Sequence, residues 1–135
     1  MIVFLLYQEL YLLIPTCSVV VLDSFDISRI EGLSQEKTER AEQILSEKNP
    51  NRSWSVGLEG TDKRFVPING ALSPAQLAWL EETLTRAAEE EETVMVFCHV
   101  PLHPLAANIK NILWNYQVSL FLSLSLWLLY MVQET

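Results

Sequence analysis

The sequence Thr93-Val-Met-Val-Phe-Cys-His-Val-Pro-Leu-His-Pro104 decides the fold of this chain. Its first half is an apolar run, Val94–Cys98, without alternation, which is typical of a strand buried on both faces of a parallel sheet. His99 follows directly, and the prolines after it cannot continue a central strand. A histidine therefore lies where a strand gives way to a loop, the edge at which open α/β sheets bind ligands. The alternative is a histidine that only caps the strand end.

The segments before this stretch predict the rest of an α/β unit. The apolar run at Ser18–Asp23 reads as a second buried strand. A helix is predicted at Gln35–Lys48, with Ser34 as its N-cap and an apolar stripe along one side. The order strand, helix, long loop, helix and strand is typical of an α/β sheet.

The second predicted helix, Ser73–Glu90, carries the clearest local signals in the sequence. Ser73 is a favoured N-cap, Pro74 suits the first helical position, and Gln76 stands where it would complete a capping box. The long loop Asn49–Asn69 precedes this helix, and loops of that length are often functional. Its apolar residues Trp54, Leu58 and Phe65 could fold over a pocket or lie in the core, and for each of them we expect the core.

Composition and charge limit the class of protein. The chain has 135 residues, of which 50% are hydrophobic and 19% charged, which predicts one folded domain with a modest core. A net charge of −8 argues against a nucleic-acid partner, because a protein that tracks phosphates needs a basic surface. Cys17 and Cys98 are too few and too far apart in the sequence to suggest a disulfide scaffold or a structural zinc site. We expect two buried thiols in a reducing compartment, the cytoplasm.

Both ends of the chain are unusually apolar. Met1–Ile14 lacks the basic start of a signal peptide, and both it and Val118–Val132 are shorter than the roughly 20 residues of a membrane-spanning helix. Membrane contact through these ends is therefore a weaker hypothesis. It defines the alternative function: a small membrane-associated or partner-binding protein that uses its apolar ends.

The two histidines do not make a metal site by themselves. His99 and His103 would share a helix face, as zinc ligands do, but Pro101 between them excludes that helix. Cys98 and His99 are not a catalytic pair, because adjacent strand residues point to opposite faces. The turn after the first strand adds Asp23 and Asp26, either of which could face a site, although aspartates are also common in turns. The residues alone thus predict half of an active site.

Five segments, in this order, resemble the manganese-dependent ADP-ribose/CDP-alcohol diphosphatase branch of the calcineurin-like metallophosphoesterases. They are VLDSFDIS (21–28), GLEGTDKRFV (57–66), NGALSPAQLAWL (69–80), CHVPLHP (98–104) and WNY (114–116). The resemblance implies that His99 is a metal ligand, while His103 lies where the family needs none. It also implies a pair of Mn²⁺ ions and a nucleotide-diphosphate small molecule as substrate.

The family's other metal motifs are absent from this sequence: Asp-x-His, Gly-Asp and Asn-His upstream, and Gly-His-x-His downstream. Two metals about 3.5–4 Å apart need several bridging and terminal ligands, which one histidine cannot replace. We therefore expect an incomplete metallophosphoesterase-like α/β sandwich at residues 18–116, between non-homologous apolar segments at 1–17 and 117–135. The function expected is that of a truncated phosphoesterase, inactive alone and without tight manganese binding.

Overall fold

A computed structural model describes residues 17–30, 34–51 and 54–118 of the chain. The elements in order are β1 (Cys17–Leu22), β2 (Ile27–Ser28), α1 (Gln35–Lys48), β3 (Gly70–Ala71), α2 (Pro74–Glu89) and β4 (Thr93–Cys98). A 3₁₀ turn, Gly60–Arg64, lies within the long loop. The two helices and the two longer strands agree with the sequence prediction to within one residue at each end. Ser34 and Ser73 cap the helices through their hydroxyl groups, as expected.

Two small sheets organise the chain. β1 and β4 pair in parallel, from Cys17 opposite Thr93 to Leu22 opposite Cys98. β2 and β3 form a short antiparallel pair. This arrangement confirms an incomplete α/β fold. Because β1 and β4 end side by side, the residues that follow them, Asp23 and His99, lie at the same edge of the sheet.

The main core lies between the inner face of the parallel sheet and α2. It contains Val20 and Leu22 from β1, Leu80 from α2, and Ile112 and Leu113 from the segment after the histidine loop, by which we mean residues 99–104. A second cluster joins α1 to the antiparallel pair, with Trp114 buried in it. The segment after β4 therefore contributes to both clusters and holds them together.

The prediction that β1 and β4 are buried on both faces is wrong for this chain. Alternate residues of the two strands are exposed, namely Cys17, Val19, Val21, Thr93, Met95 and Phe97, and Val96 on the other face of β4 is 40% exposed as well. The reason is that α2 covers one face, and no described element packs on the other. The expectation of two buried thiols is also wrong, because Cys17 is exposed and Cys98 is only partly buried.

The long loop before β3 is held by amide side chains. The Asn49 side-chain amide donates to the carbonyls of Trp54 and Phe65, at 2.6 and 2.9 Å. Phe65 is buried and Leu58 partly buried, as expected, but Trp54 is 59% exposed. A core position for Trp54 was therefore a wrong prediction.

The predictions for both apolar ends fall almost entirely outside the described residues. The domain boundaries drawn beside them, at residues 17/18 and 116/117, stay predictions. No helix within the described ranges is long and apolar enough to span a membrane.

Candidate metal-ligand site at the carboxyl edge of the sheet

His99 stands immediately after β4 with its side chain exposed. Its ring lies 5.7 Å from the ring of Phe25, centroid to centroid, at a tilt of 46°. Phe25 belongs to the turn after β1, so the two strand ends are in contact through these rings. The structure thus places the imidazole at the sheet edge, where it is open to a ligand.

Asp23 occupies the equivalent position after β1. Its carboxylate accepts a hydrogen bond from the Phe25 amide at 2.9 Å, which shapes the turn. Its backbone is fixed to α2, because the Asp23 amide donates to Gln76 Oε1 at 2.8 Å and Gln76 Nε2 donates to the Asp23 carbonyl at 3.0 Å. Asp23 is exposed, and its carboxylate oxygen is a second potential metal ligand on the edge that carries the His99 imidazole.

Asp26 does not face a site but joins three elements. Its buried carboxylate pairs with Lys37 of α1 and accepts hydrogen bonds from the Ser73 amide and from Gln76 Nε2, both at 3.1 Å. Burial raises the pKa of Asp26, but the hydrogen bonds from Lys37 and Ser73 outweigh it and hold the pKa below its ordinary value. The hypothesis that Asp26 could serve a site is therefore not supported.

The capping box predicted at the start of α2 is only half formed. The Ser73 hydroxyl accepts from the Gln76 amide at 3.1 Å, as predicted. The Ser73 amide, however, donates to Asp26 rather than to the Gln76 side chain. The reason is that the charged carboxylate is the stronger acceptor, and it leaves Gln76 free to bind the β1 turn.

Cys98 is a poor nucleophile. Burial raises the pKa of its thiol; hydrogen bonds with the Val100 backbone and the Ser24 side chain oppose this in part, and the negative charge of Asp23 adds the smallest contribution, an increase. The buried Ser24 hydroxyl also accepts a hydrogen bond from the Val100 amide at 3.4 Å. These contacts join the two strand ends beneath His99, which is a structural role.

The described residues do not by themselves fit a pair of manganese ions. They contain no group of three or more histidine, cysteine or acidic side chains close enough to share a metal. His103 is exposed, and its Nδ1 accepts from the Leu105 amide at 3.1 Å within its own loop. His99 and Asp23 are thus the donors that the structure places at the sheet edge. These two donors alone are too few to support a two-metal hydrolysis.

Sequence patterns missed a buried arginine that fixes the segment after the histidine loop. Arg64 Nε donates to the Trp114 carbonyl at 2.8 Å, and its guanidinium lies over the rings of Phe65 and Tyr116. Burial lowers the pKa of Arg64. No local pattern predicts a contact across 50 residues of sequence.

Asn115 joins the same segment to the start of α2. Its side chain accepts from the Leu72 amide at 3.1 Å and donates to the Leu72 carbonyl at 2.9 Å. The family resemblance at WNY (114–116) was the one sequence signal for this region.

Comparisons with known proteins identify solved and curated proteins that resemble this chain. A solved dimetal phosphatase from Danio rerio is similar, with a TM-score of 0.75 and 34% sequence identity, over 82% of this chain and 37% of that one. This similarity, with the parallel strand pair and a histidine at its carboxyl edge, defines the class as a partial dimetal-phosphatase fold.

Within that class, the matching proteins are manganese-dependent ADP-ribose/CDP-alcohol diphosphatases. The one from Xenopus tropicalis is 41% identical over 105 residues, covering 76% of this chain and 30% of its own length. The one from Arabidopsis thaliana is 42% identical over 106 residues, covering 76% and 34%. No family model matches the chain. The chain is homologous to one part of these diphosphatases, and it spans about a third of the length of the curated relatives it matches.

Proposed function

We propose that this chain is the central part of a metal-dependent phosphoesterase domain that hydrolyses nucleoside-diphosphate linkages, as in ADP-ribose and CDP-alcohols. In this proposal His99 supplies one ligand to a two-metal manganese site, Asp23 adds a carboxylate at the same edge, and the further ligands lie outside the described residues. The chain alone is inactive, and its compartment is the cytoplasm.

The position of His99 carries the proposal. The imidazole is exposed directly after a strand of the parallel sheet, and Asp23 follows the neighbouring strand at the same edge. Imidazole nitrogen and carboxylate oxygen are both ligands for divalent metals. The names of the homologous proteins supply the reaction and the metal that such an edge would serve.

The expected inactivity of the isolated chain follows from its ligand set. Manganese is at the weak end of the divalent series, so one imidazole and one exposed carboxylate bind it poorly. A two-metal hydrolase also needs a bridging geometry that these two donors do not provide. Tight manganese binding or hydrolysis of ADP-ribose by the purified chain would contradict this part of the proposal.

A chimera tests the role of His99. Residues 17–118 replace the matching segment of the Danio rerio dimetal phosphatase, and manganese-dependent hydrolysis of ADP-ribose is measured. We expect an active chimera that loses activity by about a hundredfold or more with His99→Ala, the effect of removing a metal ligand or its support.

The matched control is His103→Ala, because His103 is exposed on the same loop and its Nδ1 accepts a hydrogen bond within its own turn. It should keep the activity of the unaltered chimera. Equal activity in the His99→Ala and His103→Ala forms, with both folded by circular dichroism, would reject the ligand role of His99. A folded chimera without hydrolysis would reject the proposed function.

A further inference from the structure

Asn69 and Gly70 form the dipeptide in which an asparagine side chain is chemically least stable. The backbone nitrogen of the residue after an asparagine can attack the side-chain carbonyl carbon, and glycine hinders this attack least because it has no Cβ. Asn69–Gly70 is the one Asn-Gly pair in the sequence. It lies at the start of β3, within the folded region.

The fold holds the Asn69 side chain away from this reaction. Asn69 is 3% exposed, and its Nδ2 donates to the carbonyls of Arg64 and Lys110, at 2.9 and 2.6 Å. Gly70 is held in β3, where it pairs with Ser28. For the Gly70 nitrogen to reach Asn69 Cγ, the side-chain amide must leave both carbonyls and the backbone must rotate. Asn69 should therefore react only after this part of the fold opens.

The fold requires both residues of this labile pair. A Cβ at Gly70 would lie 2.4 Å from the carbonyl oxygen of Ser24 and 2.9 Å from that of Ile27, and these are backbone atoms that cannot move aside easily. Asn69 faces two carbonyl acceptors, which its NH₂ group serves with its two hydrogens. Packing thus keeps a reactive sequence in a place where it cannot react.

We propose that Asn69 is a deamidation site coupled to opening of the fold: the closed fold protects it, and its conversion after opening prevents the chain from closing again. The Gly70 nitrogen bonds to Asn69 Cγ and gives up its proton, the Cγ–Nδ2 bond breaks, and Nδ2 leaves as ammonia. Water then opens the succinimide ring at either carbonyl carbon, which leaves aspartate or isoaspartate at position 69. No metal, oxidant or phosphoester takes part, so the proposal is independent of the phosphoesterase function.

Both products are incompatible with the closed structure. Aspartate is ionised at neutral pH and has no hydrogen to donate, so the carbonyls of Arg64 and Lys110 lose their donor and face a negative charge. Isoaspartate carries the main chain through its side chain, which adds a backbone atom and shifts the pairing of Gly70 with Ser28. Each opening that lasts long enough for the reaction therefore removes a chain from the folding equilibrium.

Peptide mapping by mass spectrometry tests the protection. The full chain is incubated at mildly alkaline pH, folded in buffer or unfolded in concentrated urea, and aspartate and isoaspartate at position 69 are quantified over time. Conversion should be at least about tenfold slower in the folded chain, because only the open fraction reacts. Asn111 is the internal control, since the β-branched Ile112 after it hinders the attack, and in urea it should react far more slowly than Asn69. Equal rates at Asn69 in buffer and in urea would overturn the proposal.

The variant Asn69→Asp tests the consequence of conversion. In urea denaturation it should raise the ratio of unfolded to folded chain at least about tenfold, because a buried donor is replaced by a charge. Asn111→Asp is the matched control, since it makes the same chemical change at an exposed residue, and it should change the ratio by no more than about twofold. A folded Asn69→Asp chain as stable as this control would refute the inference.

Sorting of refolded chains covers the case in which Asn69→Asp does not fold. The unaltered chain, partly converted in urea, is diluted to refold, and the refolded and non-refolded fractions are separated by size and mapped. The refolded fraction should contain at least about tenfold less aspartate and isoaspartate at position 69 than the other fraction. Equal amounts of these products in the two fractions would contradict the coupling of deamidation to folding.

Discussion

The Asp26 carboxylate is the contact whose removal should most affect the stability of the described core. It is 7% exposed and binds α1 through Lys37 and the start of α2 through the Ser73 amide and the Gln76 side chain. In Asp26→Ala the Ser73 amide loses its acceptor, and the first turn of α2 loses its link to β1.

The expected loss can be worked out from these contacts. A hydrogen bond to a charged group contributes about 1.5–3 kcal/mol; we count the Ser73 bond in full and the Lys37 and Gln76 bonds only in part, because both of those side chains are partly exposed. Asp26→Ala should therefore lower the free energy of unfolding by about 2–4 kcal/mol. Asp26→Asn should lose less, because its amide oxygen can still accept from Ser73.

Urea denaturation followed by circular dichroism at pH 7 measures this loss. The control is Asp62→Ala, whose carboxylate is mostly exposed and pairs with Arg64, and its loss should stay below about 1 kcal/mol. If Asp26→Ala unfolds within about 0.5 kcal/mol of the unaltered chain, the idea that Asp26 joins three elements is refuted.

The same carboxylate predicts a dependence on pH. The pKa of Asp26 in the folded chain lies below its ordinary value of 3.8. Its contribution to stability is therefore complete above that value and is lost as the pH falls through the lower folded pKa. Asp26→Asn should flatten the stability profile below pH 4, and an unchanged acid profile would contradict the assignment.

Three further predictions concern the core, a helix end and the thiols. Leu80→Ala, which opens a cavity at a 3% exposed position, should cost about 2–4 kcal/mol in urea denaturation, against about 0.5 or less for Leu105→Ala. Glu91 has φ of 54°, so Glu91→Gly should raise stability by about 1 kcal/mol and Glu91→Ala should not; a gain in both would refute left-handed strain as the cause. Iodoacetamide at pH 8 should label exposed Cys17 about tenfold faster than Cys98, whose pKa burial raises, and equal rates would contradict that burial.

Elements with local signals were predictable from the sequence. α1 and α2 begin after Ser34 and Ser73 because a serine hydroxyl satisfies the first free helix amides, which is a property of a few adjacent residues. The position of His99 at a strand end followed from an apolar run stopped by prolines. Its role as a metal ligand stays a prediction.

Features that depend on distant partners were not predictable. Whether Val19 and Phe97 are buried depends on whether another layer packs on the sheet, and the run of apolar residues is the same in either case. Asp26 looked like an ordinary turn residue, because its partners on α1 and α2 lie far along the chain. Similarly, nothing adjacent to Gln76 indicates that its side chain binds the β1 turn instead of completing a capping box.

The parallel pairing of β1 with β4 also means that, during synthesis on the ribosome, β1 must wait for its partner strand to emerge. The hydrogen bond from the Ser18 hydroxyl to Glu92 at the start of this pair joins residues 74 positions apart. At about 5–20 residues per second, β1 emerges roughly 4–15 s before the strand it pairs with. During that interval Val19, Val20 and Val21 have no β4 to pair with. A nascent chain arrested before Thr93 should therefore be a good substrate for a chaperone that recognises extended apolar segments.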